Sequence, residues 1–179
     1  MSQSKGPDLF SDVWPQERDV MERPERLRYV RRLSGGETCV FCDSLKKGLS
    51  AESLIVDQTA NTFTVLNKYP YNNGHLLVLP KAHKESLLDL DEVTYTELSL
   101  ALRKALKVLQ QAYGSAGYNL GMNMGQVAGA GIPGHLHWHA IPRWIGDTNF
   151  FPLIAETKVV VETLQMTYDK LRPYFERSE

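Results

Sequence analysis

The chain has 179 residues, 42% of them hydrophobic and 23% charged, a profile that fits a soluble domain able to bury its own core. Its 20 Lys and Arg nearly balance 21 Asp and Glu, and a net charge of −1 excludes a partner held by bulk electrostatics, such as duplex DNA or an anionic membrane. No apolar run approaches the roughly 18 residues of a membrane span, and MSQSKGPDLFSDVWPQ at the start lacks the apolar centre of a secretory leader, so a cytoplasmic protein is expected.

Residues 1–20 mix Pro, charge and scattered apolar side chains without a period, and read as an arm ahead of a single domain over 21–179. MERPERLRYVRRL (21–33) is basic, either a surface segment or a basic wall beside a phosphate site. The two cysteines follow as Cys39-Val-Phe-Cys42, a spacing that in a reducing compartment points to metal or redox chemistry before a disulfide.

TFTVLN (62–67) alternates with the period of a half-buried strand, and YPYNNG is a turn cluster. HLLVLP (75–80) completes a predicted hairpin. Asp89 and Glu92 resemble a capping box, and Leu98, Leu102, Leu106, Leu109 and Tyr113 then recur at helical spacing until Gly114 stops the run. A strand is predicted at 118–124, another at HLHWHAI (135–141), and a final helix over 157–176 with Val160, Leu164, Tyr168 and Leu171 on one stripe. The pattern is α+β: a mostly antiparallel sheet, one long inserted helix and a C-terminal helix.

All five histidines fall in two places, His75 and His83 in GHLLVLPKAH, and His135, His137 and His139 in GHLHWHAIPRW. Alternate residues of a strand share a face about 6.6 Å apart, which puts the last three imidazoles in a row and turns Leu136, Trp138 and Ala140 to the core. Such a row could be the polar face of an edge strand, a metal site, or a nucleophilic histidine with polar helpers. The preceding GQVAGAGIPG (125–134) has four glycines and two alanines. Successive N–H groups in a loop of this kind can cradle an anion, so phosphate beside imidazole is the expected chemistry.

These residues resemble the histidine triad (HIT) superfamily, whose motif His-φ-His-φ-His-φ-φ (φ apolar) is matched by His135-Leu-His137-Trp-His139-Ala-Ile. The likeness takes in Asn67, GHLLVLP with His75, and Asn123, and spans about residues 25–152. PRWIGDTNFFP (142–152) resembles the branch of diadenosine tetraphosphate phosphorylases and dinucleoside polyphosphate hydrolases. Galactose-1-phosphate uridylyltransferases carry Gln where His139 stands here, which sets that substrate class lower.

The resemblance implies a HIT-like fold with a five-stranded sheet, a homodimer, and a nucleotide substrate such as diadenosine tetraphosphate or a related AMP conjugate. It implies His137 as the nucleophile of a covalent nucleotidyl-histidine intermediate, His139 as partner of the phosphate or leaving group, and His75 as support. Asn67 would meet the ribose, while Asn123 and the N–H groups of Gly131 and Ile132 would hold the phosphate. Many members carry Gln-Ser or Gln-Thr at that loop position, so a side-chain contact there is not expected here. Zinc-containing members further imply a structural zinc on Cys39, Cys42, His83 and His135. Apart from the resemblance, Ile55, Phe63 and Leu66 fit a base pocket or plain core packing, Arg143 a contact to distal phosphates or a solvated strand end, and Trp138 and Trp144 core or interface before ligand stacking. Two other readings stand beside this one: a metal-dependent hydrolase ligated by all three triad histidines, and a nucleotide-binding module without turnover.

Overall fold

The structure, a computed structural model, describes residues 39–147 and 161–177. The arm at 1–20, the basic segment 21–33, residues 148–152 and the first residues of the expected final helix lie outside that range.

The elements in chain order are α1 (Val40–Lys46), β1 (Ile55–Gln58), β2 (Thr62–Leu66), β3 (Leu76–Pro80), α2 (Glu92–Tyr113), β4 (Gly117–Gly121), β5 (Trp138–Arg143) and α3 (Leu164–Arg177). The five strands form one sheet in the order β1-β2-β3-β5-β4, with every neighbouring pair antiparallel. β2 and β3 make the expected hairpin, with Val65 opposite Leu77 and Leu66 opposite Leu76. The last strand inserts between β3 and β4, so His139 lies across from Leu77 on one side and Gly121 on the other. The triad strand is thereby interior to the sheet, paired to a neighbour on each side.

Strand alternation sends the sheet's side chains into two cores. One face presents Val56, Leu66, Leu76, Val78, Leu136 and Ala140 to Leu98, Ala101, Ala105, Val108 and Leu109 of α2 and to Leu171 and Phe175 of α3. The other presents Ile55, Phe63, Val65, Leu77 and Leu79 to Phe41 of α1. A sheet covered on both faces explains why β2 and β3 are buried along their whole length.

Several expectations are corrected here. The cap of α2 is Asp91, whose Oδ1 accepts from the Thr94 N–H at 2.8 Å; Asp89 sits in a short 3-10 turn, and Leu90 after it is extended. The helix ends as predicted, with Gly114 in the left-handed region. Its buried centre is the pair Ala101 and Ala105, with Leu102 and Leu106 only partly covered, because small side chains let the helix lie close on the sheet. The last helix begins at Leu164, and regular pairing of the triad strand begins at Trp138. β4 is paired over Gly117–Gly121 only. Leu66 faces the helix-side core while Ile55 and Phe63 face the other, so the three do not line one pocket.

Candidate active site

The triad histidines lie on the α1 side of the sheet, yet they are not a solvated face. His135 is 0% exposed and His137 6%. Phe41, the apolar residue between the two cysteines, packs its ring against both, with centroids 5.5 Å from His135 and 5.2 Å from His137. Each imidazole has a different partner, and the partner decides which nitrogen carries the proton.

The Nε2 of His135 lies 2.9 Å from the Pro80 carbonyl oxygen. A carbonyl only accepts, so Nε2 carries hydrogen and Nδ1 keeps its lone pair. That Nδ1 faces Cys39 Sγ at 3.4 Å and Cys42 Sγ at 3.6 Å, and His83 Nδ1 lies 3.4 Å from Cys42 Sγ. The four ligand atoms of Cys39, Cys42, His83 and His135 all fall within 4.8 Å of one another. A tetrahedral ion with bonds of about 2.3 Å to sulfur and 2.0 Å to nitrogen would set its N and S ligands about 3.5 Å apart, which matches. The donor set therefore fits a zinc-type ion, and the Pro80 carbonyl is the outer contact that fixes the ligand tautomer. Burial holds the His135 imidazole below its ordinary value, outweighing the Pro80 carbonyl. In the metal-free thiol, burial and the neighbouring Cys39 push the Cys42 group up, a trend a bound cation would reverse. Cys39 caps the start of α1 and Cys42 lies in its first turn, which brings both sulfurs toward His135, and a Cβ on Gly134 would come within 3.1 Å of His83 Nε2. Small size at 134 is what lets His83 reach the group.

His137 has its Nδ1 2.8 Å from the carbonyl oxygen of His135. By the same logic Nδ1 carries the hydrogen, and Nε2 keeps a free lone pair. Burial disfavours the cation and holds this imidazole below its ordinary value. A neutral ring with an unprotonated Nε2 is the form in which an imidazole can act as a nucleophile.

His75 shows the opposite arrangement. Its Nδ1 accepts from the backbone N–H of Tyr71 at 3.1 Å and faces Asn67 Nδ2 at 3.2 Å. The orientation of the Asn67 amide is fixed, because its Oδ1 accepts from the Tyr69 N–H at 3.0 Å. Two donors on Nδ1 leave the hydrogen of His75 on Nε2, which lies 2.9 Å from Nδ1 of His139. His139 thus accepts on Nδ1 and presents Nε2–H as a donor. His137 and His139 stand with centroids 5.0 Å apart, lone pair on one and hydrogen on the other.

Asn67 is therefore engaged with His75. Asn123 directs Nδ2 toward the Gly129 carbonyl at 3.5 Å, a weak contact that leaves the amide adaptable. Gly131 and Ile132 lie in the half-buried loop directly before the triad, where the His135 N–H bonds to the Ile132 carbonyl. A short 3-10 turn, Gln126–Ala128, is closed by Gly129 at φ +83, which only glycine adopts readily. Arg143 is engaged with its neighbours in the fold. Its Nε and Nη2 each donate to Asp147 at 2.6 Å, and Nη1 donates to Asn119 at 2.7 Å. Trp144 donates its indole N–H to the Tyr113 carbonyl and Trp138 packs on the helix-side core, both in structural roles. Among the described residues, the group that converges as metal ligands takes only His135 from the triad, unlike a site built on all three. Tyr71 and Phe41 were not singled out by sequence. The signals were an aromatic four residues before His75, and one framed by two cysteines.

A model of the HIT domain matches residues 49–144, more than half of the chain. The chain belongs to the HIT family. It is 40% identical over 116 residues to the AP-4-A phosphorylase of Mycobacterium tuberculosis, a match covering 65% of this chain and 60% of that protein. It thus spans about 60% of the length of those curated relatives. Among solved structures it resembles a hypothetical histidine triad nucleotide-binding protein from Sulfolobus tokodaii, at 30% identity and TM-score 0.64, covering 78% of this chain and 93% of that one. A zinc-bound histidine triad family protein from Mycobacterium smegmatis shares the fold at TM-score 0.64 and 23% identity, over 78% and 94% of the two chains. These neighbours agree with the α+β architecture and five-stranded antiparallel sheet described above.

Proposed function

We propose that this HIT protein is a nucleotidyl-transferring enzyme that splits dinucleoside polyphosphates, diadenosine tetraphosphate first among them, or related AMP conjugates. The observation that carries the reading is the tautomer of His137, whose Nδ1–H is held by the His135 carbonyl so that Nε2 is unprotonated. In this reading Nε2 attacks the α-phosphorus in line and the polyphosphate leaves, giving a covalent nucleotidyl-His137. His139 offers its Nε2–H to the phosphate or the leaving oxygen, and His75 supports it. Asn67 meets the ribose hydroxyls, and Asn123 with the N–H groups of Gly131 and Ile132 receives the phosphate. Water or inorganic phosphate then attacks the same phosphorus and frees the imidazole. The likeness to a phosphorylase supports phosphate as that second acceptor.

Cys39, Cys42, His83 and His135 are proposed to hold one zinc per chain in a closed, structural role. Bound there, the ion supplies cross-linking of α1 to the triad segment and no step of the reaction. The active unit is proposed to be a homodimer in the cytoplasm; among the described residues no helix is long and apolar enough to cross a membrane.

The test is incubation with diadenosine tetraphosphate, with and without phosphate. Attack at the α-phosphorus releases ATP, and the retained AMP group leaves as ADP with phosphate or as AMP with water. His137→Ala should abolish both products and the acid-labile nucleotidyl adduct. Turnover that survives this substitution would end the proposal.

A further inference from the structure

A groove of about 590 Å³ runs between α2 and α3, lined by Leu100, Arg103, Lys104 and Lys107 of one helix and by Tyr174 and Arg177 of the other. Both helices pack on the sheet face opposite α1 and the triad rings, so the sheet separates this groove from the candidate active site. Among the described residues that line it, four are cationic and none is acidic, in a chain whose net charge is −1.

Lys104 is matched by a buried carboxylate, Asp57, at 3.1 Å. Arg103 and Lys107 are exposed and, among the described residues, have neither an ion pair nor a side-chain hydrogen bond. They stand four residues apart on one helix, about 6 Å along its axis, and like charges at that spacing repel and cost helix stability. Arg177 adds a third charge from the last turn of α3, with its guanidinium already oriented. Its Nε donates to the Pro173 carbonyl at 3.0 Å, and the group lies over the Tyr174 ring, 5.1 Å from the centroid. Glu176, beside it in the chain, pairs with Arg172 at 3.0 Å instead.

A lone exposed ion pair contributes little, so three such cations gain most from one ligand that carries several negative charges. The volume is that of a small-molecule site, and a chain of net charge −1 lacks the field that holds nucleic acid. Guanidinium and ammonium groups both suit phosphate oxygens, the former in bidentate pairs. We propose that the groove between α2 and α3 binds a short polyphosphate chain, free or as part of a nucleotide, through Arg103, Lys107 and Arg177.

The probe is inorganic tripolyphosphate, added at constant ionic strength to the 15N-labelled full chain, with amide spectra showing where it binds. Saturable shifts are expected over residues 100–111 and 174–177, whatever happens in the loop at 125–134 ahead of the triad. Arg103→Gln combined with Lys107→Gln keeps good helix formers at two exposed positions. It should weaken binding at the groove about tenfold or more and leave the shifts at 125–134 as in wild type. ATP as a second probe separates the sources. Equal affinity means that the phosphate chain alone is read and tighter binding means that the nucleotide is, and the groove is a polyphosphate site in both cases. The proposal is overturned if tripolyphosphate moves nothing over 100–111 and 174–177, or if binding there survives the double substitution. It is equally overturned if inorganic phosphate or a hexa-aspartate peptide binds the groove as tightly.

Discussion

Replacing Cys42 by Ala gives the most direct view of how the metal group and the fold depend on each other. Cys42 Sγ is the hub of the ligand set, 3.4 Å from His83 Nδ1 and 3.6 Å from His135 Nδ1. Its loss leaves three donors and an open position. A ligand that binds only the folded chain stabilises it by RT ln(1 + [L]/Kd), about 4 kcal/mol when free zinc stands about 1,000-fold above Kd. For a chain of this length about 2–4 °C of Tm accompanies each kcal/mol, so stripping the ion should cost about 8–16 °C.

The assay is a pair of melting curves, with and without a strong chelator, alongside metal analysis of the purified protein. Wild type should carry one zinc per chain and lose Tm with chelator. Cys42→Ala should begin at the lower Tm and show no further response. His137→Ala should keep both the zinc and the chelator response, because its Nδ1 is spent on a carbonyl and lies outside the ligand set. Wild-type protein that contains no stoichiometric zinc, or a Tm that chelator does not move, would refute the assignment. Zinc lost together with His137 would refute the separation of metal and nucleophile.

Two further outcomes follow from packing and charge. Gly74 has φ +72, and a Cβ there would come within 3.0 Å of Tyr113 Cε2 and 3.1 Å of Leu109 Cδ2, so Gly74→Ala should cost about 2–4 kcal/mol in denaturant unfolding; a neutral result would mean the turn relaxes freely. Asp147 accepts two hydrogen bonds from Arg143, one from the Trp144 N–H and one from Asn72, which hold its carboxyl far below the ordinary carboxylate range. A depressed folded pKa gives stability that is complete above the unfolded value near 3.9 and is lost as pH falls below it. Asp147→Asn should therefore lower stability by about 2 kcal/mol at neutral pH, with a gap to wild type that closes on acidification below about pH 4. A gap that is independent of pH would contradict the ion pair.

What the sequence revealed depended on periodicity and spacing. α2 was legible because its leucines repeat at helical spacing and Gly114 ends the run. β2 and β3 were legible because a turn cluster separates two apolar segments. β1 was not located, since its four residues include Asp57, and a charge breaks the strand pattern. Only the fold supplies Lys104 of α2, 3.1 Å away, which makes that buried carboxylate tolerable. α1 was missed because VFCDSLK is seven residues with β-branched and thiol side chains, too short to show a period. The four metal-type ligands were proposed from motif likeness, and the fold brings them together across 96 residues of chain. The Arg143–Asp147 pair is not legible in the sequence, because pairing four positions on needs a turn that no helical pattern announces. The burial of His135 and His137 was also hidden, because alternation alone cannot say whether the second face of a strand meets solvent.

Three histidines spaced by two are chemically identical in the sequence, and backbone groups make them different. The Pro80 carbonyl leaves His135 a lone pair on Nδ1, the His135 carbonyl leaves His137 a lone pair on Nε2, and the Tyr71 N–H, acting through His75, leaves His139 a hydrogen on Nε2. Main-chain carbonyls and N–H groups do not titrate, so these assignments hold wherever the rings stay neutral. His135 links two of them: its side chain faces the cysteines while its own carbonyl fixes the His137 ring. Whatever anchors the His135 ring therefore anchors the peptide that sets the His137 tautomer. In the proposed function, this places a structural metal group two residues from the attacking nitrogen.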